Sequence, residues 1–362
     1  MVIVHLISGL SGGGAEHFLL NLCKESKKHN GVKMIVISIT SINTLAFAFR
    51  KESIAFHFLD IDKNYGNWFS GVYRLNKILK SYREASVVLH AHMFHACILA
   101  CLLKIVHLNI PIIFTLHNTY IKELNRRWFL YLCRPLRSKD IIFPGFKRLF
   151  FQRAQSIPIP YGIETAEFYH ETLKPNIFTC LFVGRLVEQK NPLYLIELVK
   201  KLQHKYVFKI VIAGDGELRK ELEELIEFHN LQAYFDIQGY RASMSQLFAK
   251  SHCLLLPSSW EGMPMVLLEA GASCLPVVST PVGNITKFLD ISTAYISDIE
   301  EFHVELEKLI NNYDVAQLKA KKFYSIICNS YTMEKTFLDH LHQVYLPAIN
   351  RPALQVLEDV IF

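Results

Sequence analysis

Short apolar runs alternate with helical patterns along this chain, and the alternation starts again near the midpoint. The first series begins with the apolar run Val2–Ile7 and a helical pattern over Glu16–Lys28, and the second begins with Thr179–Val183 and Pro192–Gln203. Further predicted strands are Lys33–Ile39, Ile54–Leu59, Val87–Ala91, Ile112–Leu116, Asp140–Phe143, Ser156–Pro160, Phe208–Ala213, Phe235–Gln238, Cys253–Leu256 and Pro276–Ser279. Strands that alternate with helices fold into a parallel sheet covered by helices. The sequence therefore predicts an α/β fold of two doubly wound, Rossmann-like domains.

The length of 362 residues also favours two domains, because single hydrophobic cores stop growing at about 250–300 residues. We predict a first domain over residues 1–157, a linker over 158–175 and a second domain over 176–335. Residues 336–362 are predicted to form a helical tail that could pack back on the first domain. Two such domains would face each other across a central cleft lined by the carboxyl ends of both sheets.

Cysteine usage and hydropathy favour a cytoplasmic protein. None of the eight cysteines is spaced as CxxC and most lie in apolar runs, which is typical of reduced core residues. The start MVIVHLISGL lacks a basic segment and is predicted to be a strand rather than a signal peptide. The longest apolar stretch, residues 87–108, contains four histidines and a lysine and makes a poor transmembrane helix.

Positive charge is concentrated in the first half of the chain, with 21 Lys and Arg against 9 Asp and Glu in residues 1–165. Much of the excess lies in residues 122–153, where aromatic side chains are interleaved with the cations. The cations are Lys122, Arg126, Arg127, Arg134, Arg137, Lys139, Lys147, Arg148 and Arg153, and the aromatic residues are Trp128, Phe129, Tyr131, Phe146, Phe150 and Phe151. Such a segment is either a solvated basic face or a surface that contacts an anionic membrane. Nucleic acid is disfavoured because no known nucleic-acid-binding motif is present.

Two glutamates stand eight positions apart in an otherwise apolar segment, SSWEGMPMVLLEAGASCLPVV over residues 258–278. Glu261 is predicted to lie in the loop after a buried strand, and Glu269 in the helix that begins near Pro264. Ligands of open α/β sheets bind at the carboxyl ends of the strands. Both carboxylates are therefore candidate ligand-binding groups.

A glycine-containing turn follows the first strand of each series. Gly12, Gly13 and Gly14 precede a predicted helix, but their spacing is not GxGxxG and no GK[ST] follows, which argues against dinucleotide dehydrogenases and P-loop NTPases. In the second series, Arg185 and Lys190 flank a helix start after Gly184. Two cations at this position could bind a diphosphate without a metal.

The histidines leave two alternatives open. His90 and His92 point the same way from a strand, which is compatible with a metal site, but acidic partners are missing and we predict no metal. His117 follows the predicted strand Ile112–Leu116 and is predicted to hydrogen-bond a substrate.

Taken together, several stretches resemble the retaining glycosyltransferases of family 4, which have the GT-B fold. They are GGGAE at 12–16, HAH at 90–92, TLHN at 115–118, PYGIETAEF at 160–168, FVGRLVEQKN at 182–191, AGDGELRKELE at 213–223 and the segment 256–278, which contains the E-x7-E signature of that family. The resemblance implies transfer of a sugar from a nucleotide-sugar donor to a glycan or lipid-linked acceptor, as in cell-envelope polysaccharide or lipopolysaccharide synthesis, with no cofactor or metal.

The resemblance also implies a role for each matching residue. Arg185 and Lys190 would clamp the donor diphosphate, Glu269 would hold the ribose, Glu261 would hold the transferred sugar, and His117 would contact that sugar. The remaining donor-binding residues would be Gly12, Gly13, Gly14, Gly184, Gly262, Met263, Met265 and Val266. On the acceptor side it implies Glu16 and His92.

The chain departs from the family pattern at Tyr161, where asparagine is usual, at Cys274 in place of glycine, at the segment 283–287, and at Phe143-Pro144-Gly145, which lacks the usual serine. None of these positions is among the residues to which the resemblance assigns the diphosphate or the ribose. Two alternative functions are a nucleotide-sugar 2-epimerase of the same fold and a non-catalytic nucleotide-sugar-binding protein.

Overall fold

The computed structural model describes residues 1–61, 67–82, 85–106, 109–117, 121, 123–144, 148–153, 156–169, 172–241 and 244–349. Within these residues the chain divides into two compact units, of which the first spans 1–162 and 333–349 and the second spans 163–332. Asn118, Lys122, Gly145, Phe146, Lys147 and residues 350–362, which enter the predictions above, lie outside the described residues.

The first unit is built on a parallel sheet. Its strands are β1 (Val2–Ile7), β2 (Lys33–Ser38), β3 (Ala55–Phe58), β4 (Val87–His92), β5 (Ile112–Thr115), β6 (Lys139–Ile142) and β7 (Ile157–Pro158), in the order β3-β2-β1-β4-β5-β6-β7. The chain runs outward from β1 in one direction and then from β4 in the other, so the strand order reverses between β1 and β4. Ligands of doubly wound sheets bind at such a reversal, beyond the carboxyl ends of the strands.

Among the described residues, five α-helices of the first unit precede residue 163. They are α1 (Gly14–Ser26), α2 (Ala46–Lys51), α3 (Trp68–Lys80), α4 (Met93–Val106) and α5 (Leu124–Leu132). Apolar side chains of α3 and α4 pack with Val2, Val4 and Leu6 of β1 in one core, which covers one face of this fully buried strand. The short helix α2, AFAFRK, has no predicted counterpart, because six residues are too few to display a helical period.

The second unit repeats this plan with a six-stranded parallel sheet. Its strands are β8 (Phe178–Val183), β9 (Phe208–Ala213), β10 (Phe235–Gly239), β11 (Cys253–Leu256), β12 (Val277–Ser279) and β13 (Tyr295–Ile296), in the order β10-β9-β8-β11-β12-β13. Its helices are α6 (Tyr194–Leu202), α7 (Arg219–Phe228), α8 (Ser245–Lys250), α9 (Met265–Ala272), α10 (Ile285–Phe288), α11 (Phe302–Asn311) and α12 (Tyr313–Ser330). The order reverses between β8 and β11, so both units are doubly wound, and the predicted α/β fold class is confirmed.

The last described helices belong to the first unit. They are α13 (Met333–Asp339), a π-helical segment (His340–Tyr345) and α14 (Leu346–Ala348). The Phe337 ring of α13 stacks on His29 at 4.4 Å, and the Tyr345 hydroxyl lies 2.8 Å from Nδ1 of His90 in β4. Among the described residues, none of the helices has both the length and the apolarity needed to cross a membrane.

Candidate functional site

The reversal of strand order in the second unit brings two loops together. The loop after β8 carries Gly184, Arg185 and Lys190, and the loop after β11 carries Glu261. The main-chain N–H of Ser259 donates to the Gln189 carbonyl at 2.9 Å, and the Gln189 side chain donates to the Trp260 carbonyl at 3.1 Å. These two bonds fix the loops to each other before any ligand binds.

Lys190 and Glu261 form an ion pair at this junction. Nζ of Lys190 lies 2.5 Å from Oε1 of Glu261, and the same oxygen accepts a hydrogen bond of 2.7 Å from the Ser258 hydroxyl. The side chains are only 15% and 4% exposed, so the pair is largely removed from water. Asn191 follows Lys190 in the left-handed conformation, with φ of +51°, and so ends the short helical turn that carries the lysine.

Close contacts with the main chain at Gly214 and Gly283 hold both loops in place. A Cβ on Gly214 would lie 1.9 Å from the carbonyl oxygen of Gly184, and a Cβ on Gly283 would lie 2.0 Å from that of Glu261. Because those atoms are backbone, no side-chain movement could relieve the overlap. Gly283 has no predicted role in the sequence, since its contact with Glu261 depends on the paths of two separate loops.

Glu269 lies in the second turn of α9, and the charge of Lys190 acts on it. Burial raises the pKa of the half-buried Glu269 carboxyl to about 7, and the positive charge of Lys190 opposes this rise. Of the other predicted donor-binding residues, Gly262, Met263, Met265 and Val266 form the start of α9 and the turn before it, where main-chain N–H groups lack helical acceptors. Lys190 is therefore paired with Glu261 and lies close enough to Glu269 for its charge to act on that carboxyl.

Arg185 is exposed, and within the described part of the chain its guanidinium forms no ion pair. It lies on the same loop as Lys190 but does not join the pair with Glu261. A ligand at this loop would therefore meet one cation already neutralised and one still solvated.

The glycine-rich turn of the first unit leads into α1. Gly12 has φ of +90°, and Gly13 is the residue before the helix. Glu16, in the first turn of α1, accepts a hydrogen bond of 2.8 Å from the Ser11 hydroxyl, and its Oε2 would lie 2.7 Å from a Cβ on Gly13. The Glu16 carboxylate therefore lies beside the glycine-rich turn, where the free N–H groups at the start of a helix attract negative charge.

The predicted residues His92 and His117 lie in a buried histidine cluster of the first unit. Nδ1 of His92 lies 2.8 Å from Nε2 of His117, whose Nδ1 is hydrogen-bonded to the Tyr161 hydroxyl. Both ring nitrogens of His117 therefore have protein partners in this structure, which leaves the predicted hydrogen bond to a substrate without a ring nitrogen to make it. Burial lowers the pKa of His117 to about 3, so its ring is neutral at physiological pH.

Sequence reasoning missed His5 of β1 as a member of this cluster. Its Nδ1 lies 2.9 Å from Nε2 of His92, and its ring is fully buried. The one signal for it was a polar residue within the otherwise apolar strand VIVHLI. Donor nitrogens of His5, His90 and His92 lie within 4.8 Å of one another, so these residues are also the candidate metal ligands among the described residues.

The basic segment 122–153 forms a partly apolar surface. Leu124, Trp128, Tyr131, Leu132 and Phe150 are between 41% and 71% exposed, and the Trp128, Tyr131 and Phe150 rings contact one another at 5.7–5.9 Å. We refer to these five side chains as the aromatic face.

Arg137 was wrongly assigned to the basic surface. It is 1% exposed, lies 3.2 Å from Asp140 and covers the Phe114 ring at 4.8 Å. Arg153 also turns inward and donates to the Arg134 carbonyl at 2.9 Å. The prediction treated these cations as surface charge, because an arginine is buried only beside a partner, and the sequence does not show which groups become partners on folding.

Comparison with known families places these sites in context. Residues 12–145 match the model described as Glycosyltransferase Family 4, and residues 165–320 match the model described as Glycosyl transferases group 1. This chain belongs to glycosyltransferase family 4. The two matches lie one in each unit and contain all the predicted donor-binding residues between them.

Two curated relatives are similar over much of this chain. The UDP-Gal:alpha-D-GlcNAc-diphosphoundecaprenol alpha-1,3-galactosyltransferase of Escherichia coli is 31% identical over 60% of this chain and 60% of its own length. The GalNAc-alpha-(1->4)-GalNAc-alpha-(1->3)-diNAcBac-PP-undecaprenol alpha-1,4-N-acetyl-D-galactosaminyltransferase of Campylobacter jejuni is 29% identical over 75% of this chain and 76% of its own. A third relative is matched over 37% of its length. The chain therefore spans from about a third to three quarters of the lengths of these three relatives.

The fold is shared with solved structures. Anabaena Alr3699/HepE, crystallised in complex with UDP and glucose, has a TM-score of 0.83 to this chain at 16% identity, covering 95% of this chain and 99% of its own. At this identity the similarity establishes the GT-B fold alone.

Proposed function

We propose that this chain is a retaining glycosyltransferase that transfers a sugar from a nucleotide-sugar donor to a glycan or lipid-linked acceptor. Membership of family 4 supports sugar transfer. The names of the Escherichia coli and Campylobacter jejuni relatives, which include diphosphoundecaprenol or PP-undecaprenol, support a lipid-linked acceptor and a role in cell-envelope polysaccharide or lipopolysaccharide synthesis.

The observation that carries this proposal is the ion pair of Lys190 with Glu261 at the strand reversal of the second unit, with Glu269 within range of the charge of Lys190. Lys190 and Arg185 would neutralise the diphosphate of the donor. Glu261 would accept hydrogen bonds from hydroxyls of the transferred sugar, and Glu269 from the ribose. Arg185 is suited to this role because its solvated guanidinium is available to a phosphate in bidentate geometry.

The reaction breaks the bond between the anomeric carbon and a phosphate oxygen. The bonding electrons leave with the diphosphate while the acceptor oxygen bonds to the anomeric carbon on the same face, and the acceptor proton passes to the departing phosphate. Negative charge grows on the leaving group, and a fixed cation there stabilises the transition state by about 3–4 kcal/mol. We propose that side chains and main-chain N–H groups supply this stabilisation without a metal or cofactor, and we assign no protein nucleophile.

The aromatic face supports a further part of the proposal, namely contact of the first unit with an anionic membrane surface that carries the acceptor. Exposed aromatic and leucine side chains can enter the headgroup region, and nearby cations such as Arg126, Arg134 and Arg148 would attract anionic lipids. The proposal includes no nucleic-acid partner.

The test is an assay of the purified protein with a panel of UDP- and GDP-sugars and with undecaprenyl-diphosphate-linked or free glycan acceptors. We expect release of nucleoside diphosphate that depends on the acceptor, and a product heavier by one sugar with the anomeric configuration of the donor. An isomerised donor sugar without transfer would favour the epimerase. Nucleotide binding without release for every acceptor would favour a binding protein.

A further inference from the structure

One oxygen of the Glu261 carboxylate receives both hydrogen bonds that side chains of the protein donate to it. Nζ of Lys190 lies 2.5 Å from Oε1, and the Ser258 hydroxyl donates to the same oxygen at 2.7 Å. A carboxylate oxygen has two lone pairs, so these two donors occupy Oε1 completely. Across the described segments of the chain, the second oxygen, Oε2, accepts no hydrogen bond.

Oε2 is the part of the Glu261 carboxylate that remains available to a ligand. The side chain is 4% exposed, and Oε2 is not among the fully buried polar atoms that lack a partner in the described structure. Oε2 therefore retains part of the small exposed area of this side chain. An oxygen without a protein partner that still reaches the surface can accept a hydrogen bond from a molecule that enters from solvent.

The main chain around Ser258 is held by two other loops. The Thr280 hydroxyl donates to the Ser258 carbonyl at 2.7 Å, and the N–H of Ser259 donates to the Gln189 carbonyl at 2.9 Å. Ser258 itself is 1% exposed. Because the main chain is held on both sides, the Ser258 hydroxyl has a defined position, and its bond to Oε1 fixes the plane of the Glu261 carboxylate.

A purely structural role for this serine is the competing interpretation. Serine side chains commonly bond nearby main-chain groups and so stabilise loops. The Ser258 hydroxyl instead bonds the side-chain carboxylate of Glu261, three residues ahead. Ser258 is therefore linked directly to a group that the proposed function assigns to the ligand, and not only to the loop.

We propose that Ser258 is a positioning residue for the donor sugar. Together with Lys190 it occupies one oxygen of Glu261, so that only the other oxygen is available and one hydroxyl of the transferred sugar becomes the group by which the donor is selected at this carboxylate. Two neighbouring hydroxyls could not be held with one on each carboxylate oxygen. This inference rests on the proposed function, which assigns Glu261 to the transferred sugar.

The first test is independent of any ligand. A double-mutant cycle combines Ser258→Ala with Glu261→Ala and compares melting temperatures by calorimetry. Ser258→Ala alone should lower the melting temperature by about 3–6 °C, because it removes a hydrogen bond to a charged group. In the Glu261→Ala background it should have no further effect. Equal shifts in both backgrounds would show that the hydroxyl does not bond the carboxylate, and would overturn the proposal.

The second test measures how the donor is selected. It uses the UDP- or GDP-sugar with the highest kcat/KM in the panel, together with each single-deoxy form of its sugar. The ratio of kcat/KM between the full donor and a deoxy form gives the penalty for the missing hydroxyl. In Ser258→Ala we expect this penalty to shrink about tenfold at one position of the sugar, because the carboxylate is no longer held toward that hydroxyl. The penalties at the other positions should be unchanged.

Matched variants separate positioning from a general loss of structure. Ser279→Ala removes another fully buried serine hydroxyl of the second unit, which donates to the Thr280 carbonyl at 3.1 Å and not to Glu261. It should lower the melting temperature but leave every penalty unchanged. Ser258→Thr keeps the hydroxyl and should retain the parent pattern of penalties, even where its added methyl group lowers the melting temperature.

The outcomes distinguish this inference from the proposed function. Penalties that stay the same at every position in Ser258→Ala, or that shrink equally at two neighbouring positions, would refute the role of Ser258 in an active transferase. If donors bind without transfer, the same penalties are measured as dissociation constants, so the role of Ser258 is tested although the transferase assignment fails. If no nucleotide sugar binds, the proposed function and the selection of a donor through Ser258 both fail.

Discussion

A methyl group on Gly283 would lie 2.0 Å from the main-chain oxygen of Glu261. Gly283 also has φ of +62°, which side-chain-bearing residues rarely adopt. The loop after β12 thus supports the loop that carries Glu261 through a contact that only glycine allows.

Replacement of Gly283 by alanine should displace Glu261 and lower kcat by about 100-fold, the loss typical of a misplacement of about 1 Å in an active site. Gly239→Ala is the matched control, since Gly239 has a similar φ of +67° and a Cβ there would meet, among the atoms of the described residues, only the end of the flexible Arg219 side chain at 3.4 Å. It should lose about 1–2 kcal/mol of stability and keep its activity. Equal activity in the two variants would show that the Glu261 position is not critical.

Lys190→Ala and Arg185→Ala should both lower turnover by about 10²–10³-fold, because each removes a cation from the leaving diphosphate. Their stabilities should differ. Loss of Lys190 leaves the 4%-exposed Glu261 carboxylate without its ion-pair partner and should lower the melting temperature, whereas loss of the exposed Arg185 should not. Turnover by steady-state assay and melting by calorimetry measure the two effects.

Lys220→Ala in α7 is the control for general loss of charge, since Lys220 is 88% exposed. It should leave both turnover and melting unchanged. Near-normal turnover in both Lys190→Ala and Arg185→Ala would eliminate the diphosphate assignment.

Binding of a nucleoside diphosphate should release a proton near pH 7. The pKa of Glu269 is raised to about 7, so a large fraction of its carboxyl groups is protonated at that pH. A ribose held by the carboxylate favours the ionised form, and affinity should therefore rise from pH 6 to pH 8 and then level off. Calorimetric titration in two buffers of different ionisation enthalpy measures the released proton directly.

Glu269→Gln, which cannot ionise, should bind more weakly and release no proton. An affinity that is independent of pH in the parent protein would show that the ribose does not depend on the charge of Glu269.

The first unit should lose stability as the pH falls below about 6.5. His5, His90, His92, His117 and His340 are buried in neutral form, and burial lowers the pKa of His340 to about 4 and those of His5 and His117 to about 3. Between these values and 6.5 the unfolded chain binds more protons than the folded unit, so stability is full above pH 6.5 and falls with decreasing pH. Each histidine contributes about 1.4 kcal/mol per pH unit in this window.

Hydrogen exchange followed by mass spectrometry from pH 5 to pH 8, corrected for intrinsic rates, separates this loss from changes in the second unit. In the second unit, the raised pKa of Glu269 has the opposite sign, because its folded form binds the extra proton. His5→Asn should reduce the slope in the first unit by about one proton. A protection pattern that is flat from pH 7.5 to pH 5.5 would contradict the neutral state of the cluster.

The aromatic face should bind vesicles that contain anionic lipid. We expect the triple variant Trp128→Ser/Tyr131→Ser/Leu132→Ser to lose most flotation with phosphatidylglycerol vesicles at low salt. Phe228→Ser is the control, because Phe228 is 77% exposed but lies in the second unit. Flotation that is absent in the parent protein at low salt would eliminate this surface as a membrane contact.

Regular elements with strong local signals were predictable. β1 and β9 have the predicted bounds, because Val2–Ile7 and Phe208–Ala213 are apolar runs ended by glycine or polar residues. The predicted strand Ser156–Pro160 is reduced to Ile157–Pro158, because prolines cannot donate to a sheet.

The site was predictable where strand order alone brings residues together. Lys190 and Glu261 follow adjacent central strands, so their adjacency follows from a doubly wound topology. The support of Glu261 by Gly283, the burial of Arg137 against Phe114 and the place of His5 in the histidine cluster were not predictable, because each depends on contacts between segments far apart in sequence.

The pairing of Lys190 with Glu261 affects which anions the protein can bind. A largely buried lysine without an ion-pair partner would bind small anions from solution unselectively. Here Glu261 already forms an ion pair with Lys190, so a singly charged anion would gain little free energy by displacing the carboxylate. Under the proposed function, a molecule that carries both several negative charges and sugar hydroxyls would satisfy both partners at once, so the ion pair would select the donor at the binding step.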